Sequence, residues 1–167
     1  MKNEPLLATV NPLTLGGGIG SFSIQNFKIM SRYKRKNRHT YLLQYHIVFV
    51  CKYRKKLLEE KWMSNDIKWL SYQICKKHGV YIKYMETDKD HIHYMVETDP
   101  TMSISKLVNL LKSYTTYHIL RKHPYYLCKR LYGKRTFWND GYFACSVGNV
   151  SEKILKEYIE SQGKEEK

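Results

Sequence analysis

At 167 residues the chain is long enough for one domain with its own core plus a tail, and it needs neither disulfides nor a structural metal merely to fold. Apolar residues make up 43%, too many for a disordered basic tail, and with no run of 18 apolar residues nothing spans a bilayer. Lys and Arg number 29 against 15 Asp and Glu, a formal charge of +14, and 15 of the aromatic residues are Tyr, so the first partner to expect is nucleic acid and the second an acidic membrane surface.

Residues 1–30 carry only Lys2, Glu4 and Lys28 as charges and hold Gly16, Gly17, Gly18 and Gly20. This composition predicts a poorly ordered extension. From Ser31 to Lys56 there are nine Lys or Arg and no acid; a second acid-free stretch, Pro100 to Asn139, holds eight. The basic run Ser31 to Arg38 reads as an arm or an unstructured lead-in. The expected organisation is an N-terminal extension over 1–38, a working domain over 39–162 whose last helix is 151–162, and a frayed tail over 163–167.

Thr40 to Lys52 is rich in β-branched and aromatic residues and reads as a strand. Glu59 to His78 places Met63, Ile67, Leu70 and Ile74 on one helical stripe that ends before Gly79. Val80 to Thr87 and His91 to Thr98 flank Asp88-Lys89-Asp90 and predict a hairpin. Ser103 to Lys122 predicts a second amphipathic helix, with Ser103 as N-cap and Pro124 beyond its end. Thr136 to Val147 offers a last strand, and Ser151 caps a final helix to about Gln162. The order is βαββαβ with an added helix. It predicts an α+β, ferredoxin-like (RRM-like) split βαβ fold, an antiparallel sheet with two helices on one face and the C-terminal helix extra.

Cys51, Cys75, Cys128 and Cys145 stand far apart with no C-x-x-C, which suits a reducing cytoplasm and not a zinc site. No G-x-x-x-x-G-K-[ST] is present, so no nucleotide cofactor is expected. Two local patterns could carry chemistry. In a strand, residues two apart share a face, so His91 and His93 present two imidazoles side by side, a pair suited to a divalent metal, while Ile92 faces away. On the final helix Tyr158 and Gln162 are four apart and share a face. A tyrosine hydroxyl can be a nucleophile and an amide oxygen a ligand. Each pattern also has a plain structural reading: polar residues on a solvated strand, and a ring at the rim of a core beside Leu155 and Ile159.

Four stretches taken in order change that balance. They are Tyr45-His46-Ile47-Val48-Phe49-Val50-Cys51-Lys52-Tyr53-Arg54; His91-Ile92-His93; Phe137-Trp138-Asn139-Asp140-Gly141-Tyr142-Phe143; and Gly148-Asn149-Val150-Ser151 followed by Tyr158-Ile159-Glu160-Ser161-Gln162. Together they resemble the single-tyrosine HUH transposases of the insertion-sequence 200/605 type, over about Tyr41 to Gln162. The resemblance implies that His91, His93 and Gln162 hold one Mg²⁺ or Mn²⁺ and that Tyr158 is the nucleophile, forming a 5′-phosphotyrosine and a free 3′-OH. It further implies a single-stranded DNA substrate with hairpin ends and a homodimer with composite active sites, in which a hinge at Gly148 lets the tyrosine helix reach the partner. The expected location is the cytoplasm of a prokaryote, on the nucleoid when DNA is bound. Lys52, Arg54, Lys55 and Lys56 are the expected phosphate contacts.

Two alternatives carry their own tests. A catalytically inactive or domesticated relative would bind hairpin DNA or RNA without cutting it, but Tyr158, His91, His93 and Gln162 are all present. An RRM-type RNA-binding module needs several aromatics on a central strand, and His91 to Val96 offers only Tyr94.

Overall fold

The computed structural model describes residues 33–36, 38–131, 136–148 and 151–162, leaving aside the side chains of Ser151 and Gln162. One compact unit begins at Lys34. Its elements are β1 (Lys34–Lys36), β2 (His39–Tyr41), β3 (Leu43–Val50), a 3₁₀ turn (Lys52–Arg54), α1 (Lys61–Lys77), β4 (Tyr81–Thr87), β5 (His91–Thr98), α2 (Ile104–Lys122), α3 (Pro124–Leu131), β6 (Phe143–Ser146) and α4 (Ser151–Gln162). Most of the expected first extension, residues 1–32, and the tail 163–167 lie outside the described residues.

Four strands form an antiparallel sheet in the order β4-β5-β3-β6. The two halves of each βαβ unit are thus separated by a strand from the other unit, which is the split βαβ arrangement of the ferredoxin-like fold. Strand alternation sorts the residues. On β3 and β5, Ile47, Phe49, Ile92, Tyr94 and Val96 turn to one face and are buried there with Leu107, Val108 and Leu111 of α2 and Met63, Ile67 and Leu70 of α1. Each fully buried side chain of this size contributes about 1.5–3 kcal/mol. The Tyr94 hydroxyl points into that core, where it pairs with Ser71 Oγ at 2.9 Å. Tyr94 therefore offers no ring to a nucleic-acid base, which removes the RRM reading on geometry.

Ser103 caps α2 as expected, its hydroxyl accepting from the Lys106 N–H. Three segments differ from expectation. The single strand expected over Thr40 to Lys52 is divided at Leu42, and its end curls into the 3₁₀ turn. The basic run Ser31 to Arg38 is not only a lead-in: β1 pairs with β2, and Lys34 and Lys36 reach Glu97 (3.1 Å) and Asp99 (2.5 Å). Pro124 does not merely follow a helix but opens α3, since the first helical position needs no N–H; α3 then buries Leu127 and Leu131.

The expected strand Thr136 to Val147 is ordered in strand form only over Phe143–Ser146. Before it, Phe137 and Trp138 plug the end of the core, with Trp138 bridged to Cys51 and its indole N–H donating to Thr115 at 2.9 Å. Lys112 then donates to the carbonyls of Asn139, Asp140 and Gly141 at 2.8, 3.1 and 2.8 Å. A backbone whose carbonyls converge on one ammonium cannot also run in a ladder, so the strand starts later.

Candidate active site

The opposite face of the sheet is polar. Register pairs Val48 with His93, Val50 with His91 and His46 with Met95, so all three histidines project from this face. His91 and His93 stand side by side as expected, ring centroids 4.9 Å apart and nearly perpendicular. His46, which sequence reasoning missed, lies diagonally across from His93: the centroids are 5.3 Å apart, the planes differ by 9°, and His46 Nε2 is 3.0 Å from His93 Nδ1. Phe143 of β6 covers the other side of His46, with centroids 5.8 Å apart.

α4 lies along β4 on this face. Ile159 is buried beneath it, Lys156 sits 5.2 Å above the Tyr84 ring, and Glu152 is buried against Lys83 Nζ at 2.5 Å. Lys83 also meets Glu97 at 3.2 Å. Burial pushes the Glu97 carboxyl up, but hydrogen bonds from Gln44, Lys34 and Lys83 outweigh it and hold the group below the ordinary carboxylate range. Docked in this way, α4 carries Tyr158 to the edge of His93, centroids 5.5 Å apart at 86°, with 48% of the residue still exposed. Tyr158, His93 and His91 are thus brought together within one chain. The Gln162 side chain, and Asn149 and Val150 of the hinge stretch, lie outside the described residues.

His91 and His93 each have a partner at Nδ1. His91 Nδ1 is 2.6 Å from Asp90 Oδ1, which leaves its Nε2 for other use. Asp90 is itself held by Arg54, whose Nε donates to Oδ2 at 3.0 Å. Burial raises the Asp90 carboxyl, yet the bonds from His91 and Arg54 prevail and lower it overall. Tyr53 (φ 60°) and Arg54 (φ 51°) both adopt left-handed backbone, a cost of order 1 kcal/mol or more each for non-glycine residues, at the turn that delivers Arg54 to Asp90. The Cys51 N–H to Asp90 carbonyl bond, 2.8 Å, fixes that turn beside the histidines.

His93 is only 3% exposed, and its Nε2 has no hydrogen-bond partner among the described residues. Burial, with His91 and His46 beside it, pushes His93 down to about 4, so it is neutral at pH 7. Burial lowers His46 too. Asp88 and Asp90 cluster with His91 on its Nδ1 side, ligand atoms within 4.8 Å of one another, and that group leaves out His93; a bare, neutral imidazole nitrogen that is buried and unpaired, as His93 Nε2 is, is what a cation binds. The residues therefore fit a divalent ion.

Three of the four expected phosphate contacts have protein partners here. Lys52 pairs with Asp140 at 2.7 Å, Arg54 with Asp90, and Lys55 with the Arg130 carbonyl; Lys56 is exposed. All four cysteines are free, and no helix among the described residues is long and apolar enough to cross a membrane.

Among solved structures, a candidate transposase from Deinococcus radiodurans matches at a TM-score of 0.63 with 23% identity, over 79% of this chain and 99% of that one. A REP-associated tyrosine transposase bound to a REP hairpin matches at 0.53 with 11% identity, over 75% and 70%. Both share this α+β fold. In sequence, the ISDra2 transposase TnpA of Deinococcus radiodurans is 27% identical over 129 residues, 77% of this chain and 90% of the relative; the transposase for insertion sequence element IS200 of Salmonella typhimurium is 32% identical over 124 residues, 74% and 79%. The family profile described as "Transposase IS200 like" matches residues 39–162. The chain belongs to this family of IS200-like transposases.

Proposed function

We propose that this transposase cuts and rejoins single-stranded DNA at the hairpin-bearing ends of an insertion sequence, with Tyr158 as nucleophile. One observation carries the reading: α4 sets a half-exposed tyrosine against a buried imidazole whose Nε2 is unpaired among the described residues. The Tyr158 hydroxyl oxygen attacks the scissile phosphorus, the bond to the 3′ oxygen breaks, and that oxygen takes a proton and leaves as a free 3′-OH. The 5′ end stays on Tyr158 as a phosphotyrosine. A second 3′-OH then attacks the same phosphorus and releases the tyrosine. Bond energy is conserved, so no nucleotide cofactor is needed.

His91 and His93, with Gln162 as the resemblance adds, would hold one divalent ion, and their nitrogen donors suit Mn²⁺ better than Mg²⁺. When bound, such an ion supplies Lewis-acid polarisation of the phosphate. The chain's own residues exclude water from His93 and place Tyr158 beside it. Lys52, Arg54, Lys55 and Lys56, at the turn beside the histidines, are proposed to meet phosphates when DNA is bound, Lys52 and Lys55 by exchanging their present partners, Arg54 while it still holds Asp90, and exposed Lys56 directly.

A homodimer belongs to the same proposal. Residues 148–150 join α4 to the sheet, and exchange of α4 between two copies would bring Tyr158 to the partner's histidines. Mixing Y158F and H93A proteins tests it: adduct restored in the mixture establishes exchange, and none restored confines Tyr158 to its own chain. The reaction is tested by incubating the protein and Mn²⁺ with labelled single-stranded oligonucleotides carrying hairpins. A covalent, protease-sensitive adduct should form and be absent in Y158F; an adduct that survives the change removes Tyr158 as nucleophile. H91A should lose cleavage and keep DNA binding, whereas loss of folding favours a structural role for the pair.

A further inference from the structure

We propose that His46 is a positioning residue for His93: it accepts the Nδ1–H of His93, keeps that ring in one tautomer and orientation, and leaves Nε2 bare. This rests on the reading of His93 as a metal ligand only for its consequence, not for its geometry. The 5.3 Å centroid separation with nearly parallel planes is what two imidazoles give when a 3.0 Å N···N contact lies along the line of both rings. The rings are therefore edge to edge in one plane, which is the direction of a nitrogen lone pair, and not face to face.

A hydrogen bond between two neutral imidazoles has one donor. Either tautomer leaves the buried His93 Nε2 without a partner among the described residues; were His46 the donor, that atom would be an N–H, which no cation can satisfy. With His93 as donor, Nε2 is a lone pair, the form that a cation takes up. His91 shows the same polarity independently: its Nδ1 faces the Asp90 carboxylate, which can only accept when ionised. Both HUH rings are thus gripped at Nδ1, one by a carboxylate and the other by an imidazole. Phe143 packs on His46 and Val48 spaces it along β3, so the acceptor is itself held. Metal-binding histidines characteristically donate their second N–H in this way, and loss of that acceptor typically lowers metal affinity about 10–100-fold.

Long-range ¹H–¹⁵N spectra of the full chain without metal report which His93 nitrogen carries the proton, and Mn²⁺ titration reports affinity. The wild type should show the proton on Nδ1. H46F, which keeps a ring but no acceptor, should lose the single tautomer and bind Mn²⁺ about 10–100-fold more weakly. H46Q, which keeps an acceptor, should stay nearer the wild type, and hairpin affinity should be unchanged in both. A wild-type proton on Nε2 overturns the proposal, as does H46F with unchanged Mn²⁺ affinity. If H46F does not fold, the wild-type spectrum decides. If the wild type binds no Mn²⁺, the metal reading fails while the spectrum still decides the role of His46.

Discussion

The two faces of one sheet do different work with neighbouring residues. Ile92 enters a core shared with α1 and α2; His93, the next residue, enters a small polar layer shared with His46, His91 and Tyr158. On the core face, side chains are interchangeable in kind, because burial is non-directional and proportional to area. On the other face each contact has a direction: Arg54 to Asp90, His91 to Asp90, His93 to His46. Met95 and Ile159 are buried outside the main core cluster, on the face where α4 lies. The difference teaches that the stability of this domain is carried by one layer while the other can hold buried, directional polar groups close to solvent.

Substitutions at paired positions test this division. Y158F should abolish the covalent adduct altogether while changing stability by less than about 0.5 kcal/mol, since the ring is half exposed; calorimetry beside the adduct assay checks both. The neighbours Ile92 and His93 should separate stability from chemistry. I92A should cost about 2–5 kcal/mol in urea unfolding, with cleavage per folded molecule retained. H93A should lose cleavage at a far smaller stability cost. The division breaks if the two substitutions behave alike. S103A removes the α2 cap on the core side and should cost about 1 kcal/mol with no change in cleavage.

The ion pairs that Glu97 makes with Lys34 and Lys83 are expected to weaken in acid. The Glu97 carboxyl titrates below its ordinary value of 4.5 in the folded state, so the unfolded chain takes up the proton first. Its contribution is present above the unfolded value and is lost as pH falls through the lower folded one. Thermal stability should therefore drop below about pH 4.5, and E97Q should flatten that part of the profile; an unchanged slope would remove Glu97 from the account. The smallest effect concerns charge. Hairpin affinity should fall steeply between about 50 and 200 mM salt, and K56A should lower the salt slope by about one. A flat salt dependence would separate the +14 charge from DNA binding.

Much of this was legible in the chain because it depends on local rules. Strand alternation placed His91 and His93 on one face and Ile92 on the other, and Ser103 announced the start of α2. Ser151 to Gln162 was readable as a helix from its spacing. Other features depend on what happens at long range. Pro124 looks like a stop signal until Leu127 and Leu131 find a core to enter. The segment before β6 looks like strand until Lys112, on another element, captures its carbonyls.

His46 is the clearest case of what sequence alone leaves open. Its place on the same face as Val48 and Val50 follows from alternation along β3. Its partner follows only from the register between β3 and β5, which a one-residue slip would abolish. The sequence by itself determined the secondary elements, their order, the basic tyrosine-rich character and the pairing of His91 with His93, because these arise from periodicity and composition. Tertiary structure alone decided that Arg54 reaches Asp90, that His46 meets His93 in plane, and that Tyr158 arrives beside them. Those contacts join residues 36, 47 and 65 positions apart, and nothing but packing brings such distant groups within bonding distance.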